Sequence, residues 1–262
     1  MISADFAISR FRRDLTLSLA LKIGLVVGGF ICLGLAEGSE RAYVVTGFMV
    51  IWLMLSFKSA KPSRLIADSP ALISLGRYEE AEASLDQALR SFSMFRTVKV
   101  LSLHHLAVLR HKQRRWSDAA KLCQAVLGQR LGGLNSLSKP SQIMLADALL
   151  QLGDLQGAHA AITQLYNFRL SLAEALQLML LQLDYETRIG AWASALAGVE
   201  HKAQMCELLA SADAATAQAM MALAAKKLGQ AAWSDYLRQR VELLADVNEL
   251  CLRKPILREL FV

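Results

Sequence analysis

The amino-acid sequence predicts an all-α protein, in which an N-terminal transmembrane helical hairpin is followed by an array of helix pairs. Two observations predict this: two apolar stretches near the N-terminus, and a turn motif that recurs at a nearly fixed interval through the rest of the chain. Of the 262 residues, 54% are hydrophobic and only four are proline. Proline disfavours a helix interior by about 3 kcal/mol relative to alanine. No run of alternating β-branched residues indicates a sheet.

The two apolar stretches are each long enough, or nearly so, to cross a bilayer. Residues 15–36 are apolar except for Lys22, and residues 42–57 carry no charged side chain. A span needs roughly 20 apolar residues, so the second stretch requires flanking residues or a locally thinner bilayer. Lys22 lies near one end of the first stretch, where its side chain can reach the interface. The short polar segment 37–41 joins the stretches into a hairpin.

Basic residues predict the orientation of this hairpin. Residues 1–14 form a basic N-terminal segment and residues 58–64 a basic linker, whereas the intervening loop carries only Arg41. Basic segments stay in the cytoplasm and can hold anionic lipid headgroups. We therefore expect an integral membrane protein, typical of a bacterial inner membrane, with its N-terminus and repeats in the cytoplasm. The alternatives are a cleaved signal peptide with Gly34 and Ala36 at the cleavage site, and two core helices of a soluble protein.

Small residues recur at every fourth position of the first span and therefore share one helix face. This small-residue ridge consists of Ala20, Gly24, Gly28, Cys32 and Ala36. Small side chains allow another helix to approach closely in lipid. The ridge could pack against the second span of the same chain, against a partner's span, or against a second copy, which would form a homo-oligomer.

The turn motif defines the rest of the chain. In each copy, a turn residue is followed two positions later by an apolar residue and after three more by a small one; residues 76–81 (GRYEEA) are the clearest copy. The turn residues are Gly76, Arg114, Gly153, Gly190 and Gly229, which lie 38, 39, 37 and 39 residues apart. A fixed period in a helical sequence indicates stacked helix pairs.

Each copy supplies residues that suit the packing of two helices. The apolar residues would fill the gap between the helices, and they are Tyr78, Trp116, Leu155 and Trp192. The small residues would let the helices cross closely, and they are Ala81, Ala119, Ala158 and Ala195, with Ser234 in a degraded last copy. Further along the second helices, Leu85, Cys123, Ile162 and Val199 are expected in the core.

At these positions the chain resembles the tetratricopeptide repeat family. Residues 76–89 (GRYEEAEASLDQAL) match its G-x-Y-x-x-A pattern, and residues 145–162 (LADALLQLGDLQGAHAAI) match across a whole repeat. Arg114 and Ser234 depart from the family's usual Gly and Ala. The resemblance covers about residues 65–240 and implies an α-solenoid whose concave surface binds other proteins.

The resemblance also maps a protein-binding groove onto positions of the first helices. These positions are His104, Val108, His111, Lys112, Asp147, Gln151, Asp184, Arg188, Lys226 and Lys227. A mixed polar groove of this kind suits an extended peptide or a partner helix. The Lys-and-Asn clamp by which some family members hold a peptide carboxylate is not reproduced, because His104 and Val108 stand at the positions expected for it.

Three segments are expected to depart from the repeat. Pro70 should interrupt the first helix of the first pair, and the glycine-rich residues 128–140 should form a flexible connection. Residues 241–262 are amphipathic and are expected to be a capping helix with a tail, since terminal repeats need a cap. Alternatively, residues 256–262 could dock into a partner.

No sequence pattern predicts catalysis, a cofactor or a metal site. A loose group of His104, His111 and Cys123 lacks the spacing of zinc ligands, although it leaves open an enzyme or a metal protein. The basic patch 110–115 leaves open a membrane-tethered regulator that binds nucleic acid, but a helix C-terminus also favours cations. We expect a membrane-anchored scaffold or adaptor that binds protein partners, subunits of a membrane complex, and helps to assemble or localise that complex. We expect it to be neither an enzyme nor a nucleic-acid-binding protein.

Overall fold

The computed structural model describes residues 2–35, 40–93, 95–129 and 136–261, and the regular structure within these ranges is entirely helical. The all-α prediction is therefore confirmed for the described part of the chain. The α-helices are α1 (Ala4–Leu35), α2 (Glu40–Ser74), α3 (Tyr78–Arg90), α4 (Arg96–Lys112), α5 (Trp116–Leu127), α6 (Ser138–Leu152), α7 (Leu155–Leu165), α8 (Leu172–Arg188), α9 (Trp192–Leu196), α10 (Val199–Cys206), α11 (Ser211–Lys227), α12 (Ala231–Leu244), α13 (Val247–Arg253) and α14 (Arg258–Phe261).

The chain divides into two compact units. Unit 1 is Met1–Ala148 and unit 2 is Leu149–Val262. In unit 1, α4 is the most deeply buried helix, with Leu103, Leu106 and Leu109 fully enclosed. In unit 2, α11 has this role, because nearly every residue from Ala214 to Ala225 is buried. Alanine along α11 lets the surrounding helices approach it closely.

The five predicted turns share one geometry. The backbone φ angle is positive at Gly76, Gly153, Gly190 and Gly229, between 71° and 77°, and is 59° at Arg114. In every turn, the N–H of the next residue donates to the carbonyl five positions earlier, at 2.8–3.0 Å. This 6→1 hydrogen bond after a left-handed residue is the Schellman ending of a helix. The predicted turn positions are therefore confirmed, including the copy in which arginine replaces glycine.

Arg114 carries the only positive φ of a non-glycine residue in the described ranges. A residue with a side chain is destabilised by about 1–2 kcal/mol in this conformation. Glycine avoids this penalty, but it loses more conformational entropy on folding, which offsets part of the gain. We expect Arg114→Gly to raise the free energy of unfolding of unit 1 by about 0.5–1 kcal/mol. Chemical denaturation in detergent measures the change. Gly76→Ala is the matched control and should lower stability through the backbone alone, because no atom beyond the adjacent residues lies within 4 Å of the added Cβ.

The small residues of the motif are buried where the helices cross, as predicted. Ala81, Ala119, Ala158 and Ala195 are fully enclosed, and Ser234 is buried in the last copy. Val199 differs from the expectation, because the second helix of its pair is broken. Helix α9 ends at Leu196, Gly198 has a φ of 65°, and Val199 begins α10. Val199 is therefore only half-buried.

Residues 58–64, which the sequence predicts as a basic linker, are helical. Helix α2 continues from the apolar stretch to Ser74 with Pro62 and Pro70 inside it. Its last turns pack on α3 and α4, where Ile66, Ser69 and Ile73 are buried. Proline costs about 3 kcal/mol inside a helix, and this tertiary packing offsets that cost. Pro70 therefore does not interrupt the first helix of the first pair.

The end of unit 2 consists of short helices instead of one capping helix. Helix α12 runs to Leu244, and α13, a 3-10 helix (Pro255–Leu257) and α14 follow. Leu257 and Leu260 are buried, and α14 packs on α11. The segment 256–261 is thus packed within its own unit. In the glycine-rich connection, α5 ends at Leu127 and α6 includes Pro140, while residues 130–135 lie outside the described residues.

Gln218 in α11 is a polar residue in an apolar environment. Its side chain is fully buried, and neither its amide nitrogen nor its oxygen has a hydrogen bond to any residue that the structure describes. An unpaired buried amide costs about 1–3 kcal/mol. We expect Gln218→Met, of similar shape, to stabilise unit 2 by about 1–2 kcal/mol. Thermal unfolding should show the gain, whereas Gln177→Met on the exposed face of α8 should leave the midpoint unchanged.

Candidate functional site

In unit 1, the predicted groove residues of α4 contact α6. His104 is 7% exposed, and its Nδ1 forms a hydrogen bond of 2.9 Å with Ser141 Oγ. His111 Nε2 lies 2.7 Å from Asp147 Oδ2, and its ring meets the edge of Trp116 at 5.0 Å between centroids. Val108 is half-buried and Lys112 is exposed. The histidines therefore join two helices, and only Val108 and Lys112 remain available on this face.

In unit 2, the predicted groove residues also contact one another or neighbouring helices. Arg188 Nη2 donates to Gln151 Oε1 at 3.5 Å, and Arg188 Nε donates to Asp184 Oδ1 at 3.0 Å. Asp184 is buried and forms a second ion pair with Lys254. At the end of α11, Lys226 Nζ donates to the carbonyl of Glu259 at 2.6 Å, and Lys227 Nζ lies 2.5 Å from the Glu259 carboxylate.

These polar pairs follow the period of the repeat. His104–Ser141 and Gln151–Arg188 are each separated by 37 residues. Ser69–His105 and His111–Asp147 are each separated by 36. Eight of the ten predicted groove residues have intramolecular partners. Five of them bind across successive first helices, and they are His104, His111, Asp147, Gln151 and Arg188. Their polar groups hold neighbouring helix pairs together, so fewer of them are free for a partner than the sequence predicts.

Burial keeps the two adjacent histidines of α4 neutral near pH 7. Desolvation, together with the neighbouring His105, lowers the pKa of His104 to about 4. Desolvation also lowers the pKa of His105, whose Nδ1 forms a hydrogen bond of 2.7 Å with Ser69 Oγ. Protonation of either ring would place a charge in a poorly hydrated site.

The loose group of His104, His111 and Cys123 is not brought together as a metal centre. Within the described ranges, no group of three His, Cys, Asp or Glu residues could hold a metal ion. Cys123 is fully buried, and burial raises the pKa of its thiol to about 12. A thiol with such a pKa stays protonated, whereas the thiolate is the form that ligates metals and attacks substrates.

The basic patch 110–115 is largely used within the fold. Arg110 has no exposed surface, and Arg115 Nη2 lies 2.5 Å from Asp118 Oδ2. Lys112 and Arg114 are its exposed cations. Two exposed cations are few for a nucleic-acid site, in which most affinity comes from several phosphate contacts.

Residues 2–14 form an element that the sequence did not predict, which we call the N-terminal clamp. The first turns of α1 pack on α3, α4 and α5, and Ala7 and Phe11 are buried there. Glu82 Oε1 accepts a hydrogen bond of 2.7 Å from the Ile2 N–H. The Ile2 carbonyl accepts one of 2.7 Å from Arg110 Nη2.

Arg110 is the central residue of the clamp. Its guanidinium donates to both carboxylate oxygens of Glu82, at 2.8 and 3.0 Å, and to Gln113 Oε1 at 2.6 Å. The hydrogen bond from Arg110 lowers the pKa of Glu82, against the opposing effect of burial. This carboxylate therefore stays ionised and tied to the arginine at neutral pH.

A second buried cation closes the other end of the clamp. Lys99 is 1% exposed, and its Nζ donates to the carbonyls of Leu89 at 2.7 Å and Ser91 at 2.6 Å. The same ammonium lies 2.7 Å from Asp14 Oδ2. Arg10 donates to the carbonyls of Leu89 and Arg90 at 3.2 and 2.9 Å. Residues 2–14 are thus an integral part of unit 1 and not a free basic segment.

Helices α1 and α2 are both long and apolar enough to cross a membrane, and little of their apolar surface is buried within the protein. They approach each other at Gly29, where a Cβ would lie 3.7 Å from Phe48 Cε1, and at Gly28, where the distance to Phe48 Cζ would be 3.9 Å. The ridge members Ala20, Gly24 and Cys32 are exposed, and Ala36 lies outside the described residues. Among the ridge members that the structure describes, Gly28 is the one placed against Phe48 of the second apolar helix.

A groove of about 510 Å³ lies between α10 and α12 in unit 2, and we call it the α10–α12 groove. Its walls are Glu200, Ala203 and Gln204 on α10, Glu207 directly after α10, and Ala232, Trp233, Tyr236 and Arg240 on α12. The rings of Trp233 and Tyr236 meet edge to face at 5.8 Å between centroids. Sequence reasoning missed this site, although the spacing of Trp233, Tyr236 and Arg240 on one helix face was a usable signal.

No family model, curated protein or solved structure matches this chain.

Proposed function

We propose that this chain is a membrane-anchored helical-repeat scaffold that binds protein partners and holds them at the bilayer. In this proposal α1 and α2 cross the membrane as a hairpin, and the helix pairs form a cytoplasmic solenoid like that of tetratricopeptide repeat proteins. The membrane is of the bacterial inner-membrane type, and the partners are subunits of a membrane complex.

One observation carries the membrane anchor. Large apolar side chains are exposed along both helices, including Phe30 and Leu35 on α1 and Met54 and Phe57 on α2. A soluble monomer rarely exposes contiguous apolar surface on this scale. A bilayer would cover these side chains, and the backbone groups of a helix are already satisfied within it. The exposed part of the small-residue ridge would face lipid, a partner's span or a second copy of the chain.

The N-terminal clamp supports a scaffold that is held firmly at the membrane. Helix α1 runs without interruption from the buried clamp residues into its apolar segment, and α2 runs from its apolar segment into the core of unit 1. Unit 1 is therefore joined to both apolar segments by continuous helix. A partner bound to such a unit would be held at a set height above the bilayer, which raises its effective concentration there.

Membrane insertion is tested first, on the full chain. Membranes containing the protein are washed with alkaline carbonate, and reporter fusions at residue 39 and after residue 261 give the orientation. The expected result is resistance to extraction, with the loop outside and the C-terminus inside. A matched variant, Val27→Arg with Ile51→Arg, places a charge in each apolar segment. Each charge disfavours membrane insertion by about 2.5–3.5 kcal/mol, so this variant should be extracted. Extraction of the unaltered chain would refute the anchor.

Partner binding is tested by photo-cross-linking in intact membranes. A photoreactive residue is placed in turn at the exposed positions Lys112, Tyr236 and Leu172. The expected result is a specific adduct with a membrane-complex subunit from at least one position, identified by mass spectrometry and lost when the partner is deleted. Absence of any adduct from all positions would count against a scaffold. Deletion of residues 1–60 is unsuitable as a control, because it removes the clamp and part of the α2 helix on which unit 1 packs.

A further inference from the structure

The α10–α12 groove has a shape that the regular repeat does not explain. The second helix of its pair is interrupted, because Ala197 (ψ 126°) and Gly198 (φ 65°) leave the helical conformation. Helix α10 therefore starts anew at Val199, and an open space of about 510 Å³ remains between it and α12. This volume lies within the roughly 300–1,000 Å³ of typical ligand sites.

The aromatic wall of the groove is fixed in place. Trp233 is half-buried and packs against the core of unit 2, so its ring is anchored on one side and presented on the other. Tyr236 is 46% exposed, and its hydroxyl accepts a hydrogen bond of 3.0 Å from Arg240 Nη1. Rigid Trp and Tyr side chains cost little entropy on binding and are the residue types enriched at binding hot spots.

The charges of the groove leave one carboxylate unbalanced. Glu207 forms an ion pair with Arg240. Glu200 is exposed and forms no ion pair within the part of the chain that the structure describes. The groove thus carries a net charge of about −1 in a chain whose overall charge is +6. A ligand that places one cation near Glu200 and an apolar side chain against Trp233 would satisfy both features.

We infer that the α10–α12 groove binds a helical segment of a partner protein that presents one Lys or Arg beside an aliphatic side chain. Walls formed by residues of two helices suit a third helix, which lays one face into the groove. The aliphatic residue packs on Trp233 and Tyr236, and the cation pairs with Glu200. The inference rests on the proposed function, the binding of protein partners, and names the chemistry of one such partner.

The test uses the full chain in phosphatidylcholine nanodiscs and two labelled helical peptides. Both peptides are built from Leu, Ala and Gln, and they differ only in a single Lys or a single Glu on the apolar face. Fluorescence anisotropy measures their binding, and empty nanodiscs give the lipid background. We expect saturable binding of the Lys peptide, with an affinity at least about tenfold above that of the Glu peptide, a difference of about 1.4 kcal/mol.

Exposed variants make the result specific to the groove. Glu200→Lys should reverse the preference, so that the Glu peptide binds more tightly than the Lys peptide. Tyr236→Ala should lower the affinity for the Lys peptide about tenfold or more. Leu172→Ala, an exposed leucine on α8, should change nothing. All three positions are at the surface, so loss of folding does not confuse the comparison.

Equal binding of the two peptides, no binding of either, or an unchanged preference in Glu200→Lys would overturn the inference. These outcomes are distinct from failure of the proposed function. A specific adduct from Lys112 or Leu172 in membranes, without peptide binding at the groove, would leave the scaffold in place and remove only this site.

Discussion

Replacement of Arg110 by methionine is expected to destabilise unit 1 by about 3–5 kcal/mol, which is the usual cost of removing one partner from a buried ion pair. Methionine fills most of the space but donates no hydrogen bond. The Glu82 carboxylate would lose both guanidinium contacts, and the Ile2 carbonyl would lose its donor. The N-terminal clamp would therefore release, and with it the fixed connection between α1 and unit 1.

Hydrogen exchange read by mass spectrometry measures this change segment by segment in detergent. Amides of residues 4–14 and of α3 and α4 should exchange faster by a factor that corresponds to several kcal/mol. Amides of α11 and α12 serve as internal controls, because they belong to unit 2. Unchanged protection of residues 4–14 in Arg110→Met would show that the clamp does not depend on this arginine.

A double variant separates the cost of losing the Arg110–Glu82 ion pair from the cost of leaving the Glu82 carboxylate without a partner. In Arg110→Met with Glu82→Gln, no unpaired carboxylate remains, so the double variant should recover part of the stability lost in the single one. The coupling energy between the two positions should then exceed about 1 kcal/mol, as is usual for residues in direct contact. Additive effects would mean that the two side chains act independently.

Acidification is expected to destabilise unit 1 by about 3 kcal/mol as the pH falls from 6.5 to 4, through His104 alone. The pKa of this buried ring is lowered from 6.5 to about 4, and one pKa unit corresponds to 1.36 kcal/mol. Below pH 6.5 the unfolded chain takes up a proton that the folded chain does not accept until about pH 4. The contribution of His104 to stability is therefore complete above pH 6.5 and is lost as the pH falls.

Denaturant unfolding of the full chain in detergent, followed between pH 7 and pH 5, tests this dependence. The window stays above the pKa of most carboxylates, so Glu82, whose pKa is lowered, contributes little to the change. His104→Gln can keep the hydrogen bond to Ser141 and does not titrate. We expect about 2 kcal/mol of the pH dependence in this window to disappear in the variant. His105 also has a lowered pKa and should contribute in the same direction. An identical pH profile for both proteins would contradict the assignment.

In both cases, polar residues of unit 1 connect its helices to one another. The buried cations Arg110 and Lys99 attach the first turns of α1, and the neutral histidines His105 and His104 attach α4 to α2 and α6. Among them, Arg110 belongs to the basic patch that left nucleic acid open, and His104 belongs to the predicted groove. Because their polar groups are used inside the fold, we expect a partner to bind at other surfaces, such as the α10–α12 groove.

Local signals in the sequence were sufficient for the helices, the apolar segments and the five turns. A left-handed residue after a helix favours glycine for steric reasons within a few residues, so Gly76 and its equivalents could be recognised without knowledge of distant contacts. The buried small residues Ala81 and Ala158 followed from the same register. Boundaries failed where packing competed with propensity, as at Pro62 and Pro70, which tertiary contacts keep within α2.

The sequence by itself determined the helical class, the period of the repeat and the two apolar segments, because each depends on residues close together in the chain. Only the tertiary structure decided how charged residues are used. Arg110 meets Ile2 across 108 residues, and Trp233 and Glu200 share a groove only because Gly198 breaks the helix between α9 and α10. Such pairings depend on the summed free energy of many packed helices, and no local pattern encodes which charge will be buried and which will face a partner.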